Sequence, residues 1–192
     1  MNGAREKNII QGRPRNIFLV GFMGTGKSSV GRALAARMKR DFVDLDELIE
    51  ARQRRSIPDI FASDGEAFFR KLEKEALKDV CFSDSKVVSC GGGIVIDKEN
   101  VVLMKQRGIL VCLCAAPEVI YARTRAFSNR PLLNVPDPVS RIGKLLKQRQ
   151  RYYALADASV DTSSMGIGDA AAYIEKLYED KIGKASGKEG EK

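Results

Sequence analysis

Gly21-Phe22-Met23-Gly24-Thr25-Gly26-Lys27-Ser28, set directly behind the apolar run Ile17-Phe18-Leu19-Val20, decides the fold. The stretch fits G-x-x-x-x-G-K-[ST] at every fixed position, and strand, glycine turn, helix is the context that phosphate-loop pattern needs. A helix beginning near Lys27 leaves unpaired backbone N–H groups converging on one anion, and its dipole adds to the attraction. Gly24 and Gly26 permit backbone angles and close approach that a Cβ would obstruct. Lys27 can reach outer phosphates, and the Ser28 hydroxyl can ligate Mg²⁺. A nucleoside triphosphate is the expected ligand; the plainer alternative is an ordinary glycine-rich strand-to-helix turn.

Working outward, strands and helices alternate. Strands are expected at 17–20, 42–43, 86–90, 109–114 and 158–161, and helices at 28–40, 47–54, 66–80, 98–106, 117–126, up to about 155, and 169–180. Ser56-Ile57-Pro58-Asp59 reads as a helix start, with serine as cap, proline in the first turn and an acid three residues after the cap. The nearly continuous apolar run at 109–114 is of the kind buried on both faces of a parallel sheet. This pattern predicts an α/β fold: a five-stranded, doubly wound parallel sheet flanked by helices, with ligands beyond the carboxyl ends of its strands. A loop around 127–138 holds Pro131, Pro136 and Pro138 and is expected to act as a lid.

Length and composition fit one domain over 16–180 between charged tails at 1–15 and 181–192. With 192 residues, 44 % of them hydrophobic, the chain can bury a core without disulfides or structural metal. Cys81, Cys90, Cys112 and Cys114 form no C-x-x-C pair, and there is no histidine to complete a mixed zinc site. They read as reduced, buried thiols of a cytoplasmic protein. Much of the net charge of +8 belongs to the tails, expected to be flexible and solvated. Residues 1–15 carry Arg5, Lys7, Arg13 and Arg15 against Glu6, and residues 181–192 four lysines against two glutamates. The surplus left in the middle suits small anionic substrates. No basic stripe interleaved with aromatics points to nucleic acid, no apolar run approaches the length of a membrane span, and no heptad seam argues against a monomer.

Several reactive residues fall on the expected ligand edge. Asp44 and Asp46 follow the second strand, so that one can face a metal at the phosphate loop and the other a second substrate. Alone, D-x-D equally suits a helix cap. Gly91-Gly92-Gly93 after Val87-Val88-Ser89-Cys90 suggests backbone in unusual angles or pressed against a ligand, with a plain flexible turn as the alternative. Arg70 and Arg149 can each offer a planar fork to a carboxylate, although singly each also reads as a surface arginine. Arg130 differs, because it lies in the lid and can bring a cation to a transferring phosphoryl group.

In combination these pieces resemble the shikimate kinase family. The matching stretches are G-F-M-G-T-G-K-S, F-V-D-L-D-E-L-I-E from Phe42, I-F-A-S-D-G-E-A-F-F-R-K-L-E from Ile60, S-C-G-G-G from Ser89, N-R-P-L-L from Asn129 and R-Q-R-Y-Y-A-L-A-D from Arg149. The resemblance implies a fold like that of nucleoside monophosphate kinases and ATP-dependent phosphorylation of the 3-hydroxyl of shikimate, in the pathway to chorismate and aromatic amino acids. It implies ATP contacts from Gly24, Thr25, Gly26, Lys27, Ser28, Ser29, Arg123 and Arg130, with Arg123 stacked on adenine. It further implies Mg²⁺ at Ser28 and Asp44, and shikimate held by Asp46, Arg70, Gly91, Gly92, Gly93 and Arg149, with Asp46, Lys27 and Arg130 carrying catalysis.

One stretch departs from the family. After Val160-Asp161-Thr162, where many members place basic residues and a proline, this chain reads Ser163-Ser164-Met165-Gly166-Ile167, which leaves its adenine contacts open. Two other readings stand beside the kinase of shikimate: a gluconate-type or nucleoside monophosphate kinase of the same fold, and a non-enzymatic ATP-gated binding module.

Overall fold

The computed structural model describes residues 15–125 and 135–187. Five parallel strands form one sheet in the order β2-β3-β1-β4-β5: β1 Asn16–Val20, β2 Asp41–Asp44, β3 Lys86–Ser89, β4 Gly108–Cys114 and β5 Ala158–Asp161. The central strand β1 is buried at every position, and it pairs with β3 (Phe18 opposite Val88) on one side and β4 (Phe18 opposite Leu110) on the other. The first crossover passes outward to β2, whereas β4 and β5 extend the opposite edge. The cleft where the order reverses therefore opens beside β1, behind the phosphate loop.

The helices are α1 Lys27–Met38, α2 Leu45–Gln53, α3 Ile57–Ser63, α4 Gly65–Val80, α5 Lys98–Arg107, α6 Pro117–Thr124, α7 Pro138–Tyr153 and α8 Ile167–Gly187. Period-two alternation divides the strand residues between two cores. Phe18, Val20, Val88, Leu110 and Cys112 face Leu77, Met104, Ile120 and Ile142 from α4 to α7. Ile17, Leu19, Val87, Ile109 and Val111 face Leu34 of α1 and Ile174 of α8. Fully burying each such side chain contributes roughly 1.5–3 kcal/mol, and no disulfide is needed: all four cysteines are free, three of them buried.

Local chemistry explains most boundaries. Ser56 caps α3 by accepting from the Asp59 N–H, with Pro58 in the first turn, as its sequence predicts. Two features differ from the expectation. A 3₁₀ turn, Ile94–Ile96, follows the triple glycine. The last helix runs beyond 180 through residues 181–187, where a tail was expected to begin. Its buried Ala170, Ala171, Ile174 and Tyr178 anchor it, and Lys181 Nζ donates to the Asp157 carbonyl at 2.8 Å. A helix anchored in this way propagates at the gain of one hydrogen bond per added residue, despite a charged sequence. Arg130 and residues 127–134 of the expected lid lie outside the described residues. Among the described residues, no helix is long and apolar enough to cross a membrane.

Candidate active site

The phosphate loop joins β1 to α1. Gly26 stands at the N-cap in the left-handed region, with φ 93°, and contributes no side-chain cap; the first turn of α1 carries no acid. The leading N–H groups of α1 thus remain available to an anion. Gly24 has φ 76°, and a Cβ there would sit 2.6 Å from Thr124 Cγ2. Gly24→Ala is therefore expected to cost at least about 1 kcal/mol of stability and to raise the KM for ATP more than about tenfold. Thermal melting with steady-state kinetics tests this, and an unchanged KM for ATP would contradict it. Within the loop, Thr25 Oγ1 and Lys27 Nζ both donate to the Phe22 carbonyl, at 2.8 and 3.0 Å.

Asp44 stands where β2 gives way to α2, and its two oxygens do different work. Oδ2 accepts from Ser28 Oγ at 2.6 Å, and Oδ1 caps α2 by accepting from the Asp46 N–H at 3.1 Å. Ser28 Oγ also lies 3.3 Å from Ser89 Oγ, at the end of β3. Asp46, in the first turn of α2, turns the other way. Its Oδ1 is buried and accepts no hydrogen bond. Burial above all, reinforced by the Asp44 charge, pushes its carboxyl up to about 6 against the opposing pull of Lys27 and Arg70.

Arg70 on α4 donates Nη1 to Glu73 Oε2 at 2.8 Å and Nη2 to Glu66 Oε1 at 3.0 Å. Arg149 approaches from α7, its guanidinium 5.6 Å from the centre of the Phe22 ring. Between them runs the triple glycine. Among the described residues the left-handed glycines are Gly21, Gly24, Gly26 and Gly65, so Gly91, Gly92 and Gly93 do not have the unusual angles considered above. They serve close approach. A Cβ on Gly91 would lie 2.5 Å from Glu73 Oε1 and 3.1 Å from Asp46 Oδ1, and one on Gly93 2.6 Å from Arg70. These contacts are to the chain's own side chains.

Arg123, on α6, donates Nη2 to the Thr162 carbonyl at 2.7 Å and Nη1 to Thr162 Oγ1 at 3.1 Å. Thr162 Oγ1 in turn donates to the Thr25 carbonyl at 3.0 Å, tying the end of β5 to the phosphate loop.

The phosphate loop from Met23 to Ser28, Asp44, Asp46, Arg70, Glu73, Ser89, the three glycines, Arg123, Arg149 and Thr162 line a single cavity of about 800 Å³. Gly24, Thr25, Gly26, Lys27, Ser28 and Ser29 form its floor. Asp46, Arg70 and Arg149 gather about Gly91, Gly92 and Gly93, whereas Arg123 stands beside Thr162, and Met165 and Ile167 also line the cavity. The shikimate kinase family profile matches residues 23–190. The chain belongs to the shikimate kinase family. A shikimate kinase of Pelotomaculum thermopropionicum is 44 % identical over 160 residues, covering 83 % of this chain and 93 % of that protein. One from Thermodesulfovibrio yellowstonii is 42 % identical over 165 residues, covering 86 % and 95 %. The solved structure of shikimate kinase from Acinetobacter baumannii in complex with shikimate superimposes with a TM-score of 0.82 at 37 % identity, covering 88 % of this chain and 94 % of that one.

Among the lining or bracing residues of this shikimate kinase that escaped the reading of its sequence are Glu73, Ser89, Tyr153 and Thr162. Glu73 left a usable signal. It is 1 % exposed and shares the buried face of α4 with Phe69, Ala76, Leu77 and Val80, so a carboxylate occupies a core position of the 3.6-residue repeat. Its partner Arg70 lies one turn earlier on the same face. Tyr153 donates its hydroxyl to the Gly92 carbonyl at 2.8 Å.

Proposed function

We propose that the transfer of a phosphoryl group from ATP to the 3-hydroxyl of shikimate runs within this one cavity. The enzyme is a shikimate kinase; the residue roles that follow are our reading of its site. The observation that carries them is the convergence of Asp46, Arg70 and Arg149 on the cavity whose floor is the phosphate loop.

Acceptor recognition follows from charge and shape. Arg70 and Arg149 present two guanidinium groups to the carboxylate of shikimate, and the glycine turn lets the ring lie close to backbone. Asp46, which lines the same cavity, then meets the hydroxyl. A carboxyl raised to about 6 is ionised at neutral pH and remains a useful base there. It orients the hydroxyl and accepts its proton as the oxygen–phosphorus bond forms. Lys27 and the first N–H groups of α1 hold the triphosphate and offset charge on the moving phosphoryl group. Arg130 is assigned the matching role from the lid. Arg123, Met165 and Ile167 border the space for the base.

Mg²⁺ suits the pair formed by Ser28 and Asp44, two hard oxygen donors in contact at the rim of the phosphate loop. Among the described residues no group of three His, Cys, Asp or Glu side chains could hold a metal by itself. That agrees with an ion that keeps water and takes substrate phosphate oxygens as its other ligands. When bound, it would neutralise phosphate charge. The four free thiols fit a reducing compartment, the cytoplasm, and we assign a monomer acting on small molecules.

An assay coupled to ADP release, run with shikimate, gluconate and AMP as acceptors, tests the reading. Shikimate should exceed each of the others by at least about 100-fold in kcat/KM, because neither alternative presents a cyclic carboxylate to both arginines. Comparable rates with gluconate or AMP would overturn the acceptor assignment, and absence of acceptor-dependent ADP would favour the binding module.

A further inference from the structure

Tyr153 closes α7 one helical turn after Arg149. It is 9 % exposed, so its ring belongs to the core, yet its oxygen reaches the glycine turn that lines the cavity. There it donates to the Gly92 carbonyl at 2.8 Å, and Gly92 in turn lies beside the Arg149 guanidinium, whose Nη1 would stand 3.8 Å from a Cβ at that glycine. Burial pushes the phenol above the usual tyrosine range, with Arg149 opposing, so it stays protonated and remains a donor at neutral pH. The glycine turn is held from its other side as well, since a Cβ on Gly92 would lie 3.2 Å from the Gly21 carbonyl oxygen. Arg149 meanwhile faces the ring of Phe22 in the phosphate loop. Glycine turn, acceptor arginine and phosphate loop thus meet beside one hydroxyl.

We propose that Tyr153 is a positioning residue for the acceptor: its hydroxyl fixes the Gly91-Gly92-Gly93 turn, and with it the surface that the Arg149 guanidinium lies against, before shikimate arrives. The inference rests on shikimate being the acceptor. A long arginine side chain and a turn of three glycines are the two most entropically costly components of the site to order. A donor that holds the turn removes part of that cost from the binding step. Without the hydroxyl, the Gly92 carbonyl loses its donor, and the acceptor itself must order the turn beside Arg149. That loss falls on shikimate binding and leaves ATP binding alone, because the hydroxyl bonds to the glycine turn, whereas Ser28 and Asp44 bond to each other at the phosphate loop.

Tyr153→Phe keeps the buried ring and deletes only the hydroxyl. Steady-state kinetics should show the KM for shikimate raised about five- to tenfold, with kcat and the KM for ATP within about twofold of the parent. Tyr152→Phe is the control. The Tyr152 hydroxyl accepts from Arg151 at 2.8 Å on the outer side of the helix, and its loss should leave both KM values unchanged. A rise of less than about threefold in the KM for shikimate overturns the proposal. So does a parallel rise in the KM for ATP, which would mark general loosening, or an equal effect from Tyr152→Phe. If the parent enzyme itself releases no ADP with shikimate, it is the acceptor assignment that fails, whereas an active parent with an unshifted variant removes only the role of Tyr153.

Discussion

Asp46→Asn is expected to lower kcat by about 100- to 10,000-fold, the usual worth of a positioned general base, and at the same time to make the protein more stable at neutral pH. The two effects share one cause. Burial and the neighbouring Asp44 and Glu50 charges raise the carboxyl from its ordinary 3.8 to about 6, and Lys27 and Arg70 only partly offset them. Between those two values the folded protein binds a proton that the unfolded chain does not, so stability falls as pH rises through that window and stays lowered above it. The penalty on the ionised form, reduced for a side chain that is only half-buried, is on the order of 2 kcal/mol. An amide avoids it, and so the inactive variant should melt higher than its parent at pH 7.5 and show little difference near pH 4. For the free enzyme, kcat/KM should decline as pH drops below about 6, where Asp46 takes up its proton. Near-normal kcat in Asp46→Asn would remove this residue from proton transfer, and a lower melting point would show that its charge is not a strain on the fold.

What could be read from the sequence follows from how locally each feature is determined. The phosphate loop was legible because strand, glycine spacing, lysine and serine are consecutive, and β1 and β4 because strands buried on both faces are apolar throughout. Asp46, Arg70 and Arg149 carried little meaning singly; only the topology brings α2, α4 and α7 to one cleft. The glycine turn was legible as a place of close approach but not in its partners, since Glu73 and Arg70 come from a helix that precedes it in the chain. Tyr153 was hidden by helix phase. Tyr152 and Tyr153 stand three and four residues after Arg149, and both spacings put a residue on its face, so the sequence does not say which one turns inward. Glu73 was hidden by its type, because a glutamate in a charged helix ordinarily reads as solvated.

That buried glutamate makes Arg70 a residue of the fold as well as of the site, and Arg70→Ala is expected to damage both. Glu73 is 1 % exposed, Arg70 is 32 % exposed, and their atoms meet at 2.8 Å. Burial already holds the Glu73 carboxyl above the usual carboxylate range although Arg70 pulls the other way. Removing the guanidinium leaves a carboxylate whose Oε1 has no hydrogen-bond partner and whose Oε2 has lost its donor. Breaking a buried pair in this way costs about 3–5 kcal/mol, and the partial exposure of Arg70 points to the lower end of that range. Because the folded-state value of Glu73 lies above its unfolded one, and rises further without Arg70, the variant should regain stability as pH falls and Glu73 binds a proton. Glu73→Gln in the same chain should restore most of the melting temperature at neutral pH, since an amide carries no charge to strand. Catalysis should not return with it: the acceptor carboxylate still lacks one of its two guanidinium partners, and the KM for shikimate should remain at least about 100-fold above the parent. Thermal melts across pH 5 to 8 and steady-state kinetics on the single and double variants separate the two roles. Full recovery of shikimate affinity in the double variant would mean that Arg70 acts only by neutralising Glu73, and an unaltered melting point in Arg70→Ala would mean that the pair does not hold the fold.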